Sequence, residues 1–209
     1  MKQNKFTAKN IFTALMGVFL VGVGVSFNNC AGLGNDPIGI VYDGIRNITG
    51  MNAQQLGTAS NVVNLALVVV LWFVGRRYIS LGTLIYFLPY GVFVDFGAFL
   101  YRHLAVSEGL ASRIGFSAAG CLLLYLGVAF YIAVDIGVDP FSAVVLVLRD
   151  VSKKEYRIVK VIFDIAMIVL GTVLGGRLGV VTVATALTAG PVIQYFTGLV
   201  RKYWLKTEK

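Results

Sequence analysis

Residues 15–37 read LMGVFLVGVGVSFNNCAGLGNDP, and residues 118–140 read AAGCLLLYLGVAFYIAVDIGVDP. At this offset of 103, eight of 23 positions are identical: Gly17/Gly120, Leu20/Leu123, Gly24/Gly127, Val25/Val128, Phe27/Phe130, Gly34/Gly137, Asp36/Asp139 and Pro37/Pro140. Matched Leu or Val is expected between any two apolar segments, whereas matched Gly, Asp and Pro is not. The correspondence continues downstream, where Asn64 falls on Asp164, Thr83 on Thr182, Gly91 on Gly190 and Asp95 on Gln194. The chain therefore reads as a duplicated unit: a long apolar run, a Gly-x-Asp-Pro break, a short apolar piece and two further long runs.

Composition says where such a unit resides. Of the 209 residues, 57% are hydrophobic and 13% charged, and the mean hydropathy is +0.81. A soluble domain carries about 25% charged residues. A chain this apolar is not disordered and has to bury its surface, and lipid is the place left. Two cysteines, Cys30 and Cys121, and the single His103 exclude a disulfide framework and a zinc site. The 24 glycines suit close-packed membrane helices. The net charge of +8 comes from basic residues lying between apolar runs rather than in a stripe, so nucleic acid is not an expected partner.

A bilayer core of about 30 Å requires roughly 20 helical residues. Six runs meet this: 11–33, 56–74, 81–101, 114–134, 158–175 and 179–200. The pieces 37–46 and 140–149 are too short to cross and are expected as re-entrant or broken helices. Lys2, Lys5 and Lys9 precede an apolar run, as in a signal peptide, but no small-x-small cleavage site follows, so the segment is expected to be retained as the first span. With the N-terminus in the cytoplasm, only Arg46, Arg102, Arg113 and Arg177 of the 18 basic residues fall outside. Both termini are then cytoplasmic: a tail at 1–10, a first three-span repeat over 11–101, a second over 111–200 and a basic tail at 201–209. Three spans are an odd number, so the two repeats enter the membrane from opposite sides. Inverted repeats with interrupted helices are a known architecture of secondary transporters.

On these residues the chain resembles the YczE/YyaS/YitT family of bacterial membrane proteins. The resemblance is carried by Gly34-Asn35-Asp36-Pro37 and Gly137-Val138-Asp139-Pro140, by Leu56-Gly57-Thr58 and Leu81-Gly82-Thr83, and by Gly91-Val92-Phe93-Val94-Asp95 with its copy Gly190-Pro191-Val192-Ile193-Gln194. It covers roughly 12–200. It implies a six-span protein of the bacterial cytoplasmic (inner) membrane, and it brings no established substrate and no catalytic residues.

The repeated polar residues are the candidates for chemistry. Asp is a favoured N-cap and Pro is favoured at the first helical position, so Asp36-Pro37 and Asp139-Pro140 each start a helix. They are either capped breaks alone or, near the midplane, two converging helix N-termini. Such termini suit an anionic substrate, while the aspartates oppose one unless they carry protons. Asn64 and Asp164 lie inside spans, where they either bond helix to helix or line a cavity. Asn61 and Ser60 share the face of Asn64 and favour a lining. Asp95 and Gln194 fall late in their spans, where simple solvation competes with a functional role, as it does at Asp43 and Asp135. Tyr86, Tyr90, Tyr125 and Tyr131 read as packing or belt residues. Gly34, Gly137, Gly91 and Gly190, together with Pro37, Pro140 and Pro191, mark breaks that are either static kinks or hinges.

The expected function is a permease or secondary transporter of a small molecule or ion, with the substrate between the repeats near the midplane and the aspartates as candidates for coupling to protons. Two alternatives stand beside it. One is the substrate-binding membrane subunit of a larger importer, docking through small residues such as Ala118, Ala119 and Gly120. The other is a non-transporting membrane factor. No enzyme is expected, since neither a metal cluster, a phosphate loop nor a nucleophile with a paired base is evident. No cofactor or metal is expected. The bilayer and an unidentified substrate are the partners, and a homo-oligomer is left open.

Overall fold

Each apolar run winds into a helix because only a helix satisfies its own backbone in lipid. The computed structural model describes residues 6–105 and 109–206, and among them it contains eight α-helices and no strand. These are α1 (Ala8–Ala31), α2 (Pro37–Ile48), α3 (Leu56–Val74), α4 (Leu81–Leu104), α5 (Leu110–Val134), α6 (Pro140–Ser152), α7 (Tyr156–Val173) and α8 (Val180–Leu199), the last continued by a π-helical segment over Val200–Leu205. Residues 1–5 and 207–209, with Lys2, Lys5 and Lys209 of the expected tails, lie outside the described residues.

The helix limits follow local chemistry. Thr7 caps α1 by accepting from Asn10 N at 3.2 Å, and Gly32, at φ 68°, ends it in the left-handed conformation that glycine adopts without strain. Ser80 caps α4. The two short helices begin where the Asp-Pro pairs place them and run on past the expected ends at 46 and 149, to Ile48 and Ser152.

Five helices, α1, α3, α4, α5 and α8, are long and apolar enough to cross a membrane. The sixth expected span, 158–175, corresponds to α7. It is 18 residues long but carries Arg157, Lys160 and Asp164, which sets it apart from the other five. The outward side chains of α3 and α7 remain apolar: Val62, Leu65, Val69 and Phe73 on one, Ile158, Ile162, Ile165 and Val169 on the other.

The centre of the molecule is the crossing of α1 and α5. A Cβ added to Gly17 would lie 2.7 Å from Gly127 O, and one on Gly24 would lie 2.6 Å from Gly120 O. The reverse holds too, with Gly127 against Gly17 O at 2.5 Å and Gly120 against Gly24 O at 2.9 Å. The helices are thus antiparallel, and glycine lets their backbones touch. This uses Gly120 inside the chain, so it is not free as the small-residue docking face the importer alternative assigned to it.

Around this crossing α4 packs on α1 and α8 on α5, while α2 packs on α7 and α6 on α3. The links match as well. Leu33 O accepts from Val181 N at 3.1 Å, tying the α1–α2 link to the start of α8, and Val138 O accepts from Thr83 Oγ1 at 2.8 Å, tying the α5–α6 link to the start of α4. One pair breaks the pattern: α3 packs along α4, whereas α7 and α8 scarcely touch.

Candidate functional site

The separation of α7 from α8 opens a cavity of about 1960 Å³. Its floor is built by the starts of α2 and α6 and by the middle of α4. Asp36, Pro37, Tyr42, Tyr86, Tyr90, Asp139 and Phe141 line it there. From the floor the cavity runs between α7 and α8 to the end of the molecule where α7 begins and α8 ends, lined by Arg157, Arg201, Lys202 and Lys206. Lys160 and Asp164 stand on its α7 wall and form an ion pair one helical turn apart.

The two aspartates act first as caps. Asp36 Oδ2 accepts from Ile38 N at 3.2 Å and Asp139 Oδ1 from Ser142 N at 2.9 Å. Behind them stands an aromatic cluster. Tyr86 and Tyr90 stack with centroids 5.4 Å apart, Tyr42 lies 5.8 Å from Tyr90, and Phe141 meets Tyr42 edge-on at 5.7 Å. Tyr42 Oη donates to Asn64 Oδ1 at 3.2 Å, which fixes the ring against the floor.

The opposite end is closed. Asp43 is 1% exposed and pairs with Arg46 at 2.7 Å, and it also accepts from Arg177 N at 2.9 Å. Asn47 Nδ2 donates to Gly175 O at 2.6 Å, and Arg113 donates to Ala31 O and Gly32 O at 2.6 and 2.9 Å. None of these residues lines the cavity. Asp43, for which the sequence allowed simple solvation, is therefore a buried partner. Its position inside the α2–α7 contact, where Gly44 approaches Gly171, is the reason.

The sequence-nominated residues divide into two sets. Asp36, Asp139, Asp164, Gln194, Pro37, Gly190 and Pro191 come together on the cavity wall. Asn61, Asn64, Asp95 and Gly91 do not line it. Asp95 Oδ1 accepts from Gly57 N at 2.8 Å and Asn61 Oδ1 from Gly91 N at 3.0 Å, so both are consumed in the α3–α4 seam. Asn64 is fully buried behind Tyr42. Gly34 and Gly137 hold close approaches. A Cβ on Gly34, at φ 103°, would lie 2.7 Å from Gly179 N, and one on Gly137 would lie 3.0 Å from Gly82 Cα. Pro140 is buried at the first turn of α6.

The residues that sequence reasoning passed over are aromatic and basic. Tyr86 and Tyr90 face the cavity rather than an interfacial belt. Their spacing of four, which puts two rings on one helix face, is the signal that was available. Tyr42, Phe141 and the ring of cations at the mouth carry no such pattern, because they converge from separate helices.

Comparison with known proteins gives the chain its relatives. The Bacillus subtilis (strain 168) protein YyaS, described as uncharacterised, is 22% identical over 194 residues, covering 93% of this chain and 95% of its own length. An uncharacterised protein of Haemophilus influenzae is 26% identical over 194 residues, covering 93% and 86%. The uncharacterised membrane protein YczE of Bacillus subtilis is 25% identical over 120 residues, covering 57% and 54%. No solved structure gives a significant match. A family model described as a family of unknown function, DUF6198, matches residues 8–198. With five helices fit to cross a bilayer and a membrane protein among its relatives, this chain is a multi-pass membrane protein and belongs to the DUF6198 family.

Proposed function

We propose that the protein is a permease of the secondary-transporter type, whose substrate occupies the cavity above the two Asp-Pro helix starts. In this reading α7 spans the membrane as the sixth helix, and the halves 11–101 and 111–200 are inverted repeats. Both termini lie in the cytoplasm of a bacterial inner membrane. The mouth between α7 and α8 then faces the cytoplasm, where its basic residues obey the charge rule.

The observation that carries the proposal is the single broken correspondence between the halves. Two inverted units whose helices choose corresponding partners except at one seam fit a transporter caught on one side of its cycle. The α3–α4 seam is shut and the α7–α8 seam is open. Reciprocal glycine contacts between α1 and α5 support a two-fold axis through that crossing. Charged residues on α7 are tolerable in the membrane because they face the cavity and pair there. Asp36 and Asp139, at the floor, are the groups through which protons would couple to transport.

The test is sided labelling of single cysteines, with Cys30 and Cys121 replaced by alanine. Gly190→Cys is expected to react with an impermeant maleimide from the cytoplasmic face, and Asn61→Cys from the outside only in the alternate state. Reaction of the position 190 cysteine from the outer face alone would overturn the orientation. A cysteine at 61 that stays unreactive from both faces under all conditions would overturn the exchange of seams.

A further inference from the structure

We infer that the α7–α8 gap takes a membrane lipid with an anionic head group, its head among Arg157, Arg201, Lys202 and Lys206 and an acyl chain between the two helices. The inference rests on the reading of this cavity as the substrate site and gives that substrate its chemical class.

Size and access come first. Sites for small solutes enclose about 300–1,000 Å³, and this cavity holds about 1960 Å³. Its lining on α8 runs from Thr185 to Gly198 and on to Arg201. From Leu187 to Arg201 that is about 21 Å at the helical rise, more than the roughly 15 Å of one leaflet's hydrocarbon. α7 packs mainly on α2 and α8 mainly on α5, and the two scarcely touch, so the gap opens sideways as well as at its mouth. Val161 and Leu187 line it and are 52% and 73% exposed, which leaves an apolar and open rim. Gly190 and Gly198, also in the lining, leave empty space where a Cβ would stand. In a bilayer such an opening meets hydrocarbon, and an acyl chain covers its apolar wall.

Charge is sorted along the cavity. Asp36 and Asp139 lie at the floor, and Lys160 on the α7 wall is paired with Asp164. Arg157, Arg201, Lys202 and Lys206 stand at the mouth, and among the described residues none of the four pairs with a carboxylate. They come from both sides of the gap, Arg157 from the first turn of α7 and the other three from beyond the end of α8. The charge rule puts basic residues on the cytoplasmic side but does not require them to face one cavity. Basic pockets between membrane helices on that side suit anionic head groups. An anion is thus held at the mouth and repelled from the floor, and a molecule that fills the lining between them needs an apolar remainder.

The test is native mass spectrometry of the full chain released from detergent. The probes are phosphatidylglycerol and phosphatidylcholine with the same two chains, and glycerol phosphate, a head without chains. Phosphatidylglycerol is expected to bind saturably, with the other two weaker by about tenfold or more. Arg157→Gln combined with Arg201→Gln should bring phosphatidylglycerol to within about twofold of phosphatidylcholine. Gly190→Leu fills the gap and should weaken phosphatidylglycerol by about tenfold. If it does not fold, as judged by helical circular dichroism, Gly198→Leu replaces it in the same lining. Phosphatidylcholine or glycerol phosphate binding as tightly as phosphatidylglycerol, or lipid binding indifferent to the filled gap, would each overturn the site. Exchange of fluorescent phosphatidylglycerol between the leaflets of vesicles reads the permease separately. Binding without exchange would overturn transport and keep the site. Movement of glycerol phosphate by a chain that holds no phosphatidylglycerol would do the reverse.

Discussion

The α3–α4 seam and the α7–α8 gap occupy corresponding places in the two halves and are built from different residues. In the seam, Gly57 and Gly91 bring two helix backbones into contact, and Asp95 and Asn61 each accept from a backbone N–H across it. In the gap, Gly190 has nothing within 4 Å of an added Cβ, and Gln194 faces the cavity. At the offset that sets Asn64 against Asp164, Arg157 and Val161 stand where the first half has Gly57 and Asn61. A shut gap therefore cannot copy the seam atom for atom. It would bring the Arg157 guanidinium to the Gln194 side chain, a looser polar closure beside the bare backbone at Gly190. The lesson is that the two halves share helix starts and close backbone contacts where Gly, Asp and Pro are matched, and differ in packing where the residues at one seam are not.

The comparison breaks most visibly at its glycines. Gly91→Ala places a Cβ against Gly57 O and the Asn61 amide and is expected to destabilise by about 1–3 kcal/mol, as overpacking does. Gly190→Ala meets open space and is expected to be neutral or to stabilise by about 0.5–1 kcal/mol, since alanine suits a helix interior better than glycine. Thermal unfolding in detergent micelles compares the two. Equal losses would mean that the gap is shut in solution.

The side chains across the seam come next. Asp95→Ala removes the acceptor of Gly57 N and is expected to cost about 0.5–1.5 kcal/mol. Gln194→Ala, on the cavity wall, is expected to change stability by no more than about 0.5 kcal/mol. The same unfolding experiment checks both, and a larger loss at Gln194 would reverse the assignment of closed and open sides.

Smaller effects sharpen the roles of the paired aspartates. Asp36→Ala and Asp139→Ala each remove an N-cap and are expected to cost about 1 kcal/mol, whereas Asp36→Asn and Asp139→Asn keep the cap and change stability by a few tenths. Ligand binding separates the roles further, because Asn retains the cap and removes the charge. An Asn variant that unfolds like the Ala variant would show that the carboxylate charge, not the cap, holds the helix start.

Much of this architecture is legible in the sequence because it rests on residues with narrow conformational meaning. Asp-Pro starts a helix, Gly between apolar neighbours permits backbone contact, and long apolar runs become long helices, so the helices, the short α2 and α6 among them, are placed to within a few residues. The candidate site is legible only in part. Asp36, Asp139 and Asp164 are visible because a carboxylate in an apolar run requires an explanation. Asp95 and Asn61 look the same in the sequence, yet both serve the seam, because the identity of the helix across from them is a tertiary fact. The aromatic cluster is illegible for the same reason: Tyr42, Tyr86 and Tyr90 are ordinary packing residues until α2 and α4 are brought together at the floor. The charges on α7 set it apart from the other long helices and form a cavity wall once its neighbours are known.

Distances across the two seams test their proposed exchange of states most directly. Spin labels at Val62 and Phe96 span the α3–α4 seam, and labels at Ile162 and Tyr195 span the α7–α8 gap. All four positions are exposed on the outside of the bundle. Pulsed electron–electron resonance in nanodiscs is predicted to give two distances for each pair, with the short α3–α4 population matching the long α7–α8 population in size, and both shifting together under ligand or pH. A single unchanging distance across α7–α8, with α3–α4 also fixed, would contradict the account and leave the cavity a permanent feature of a static protein.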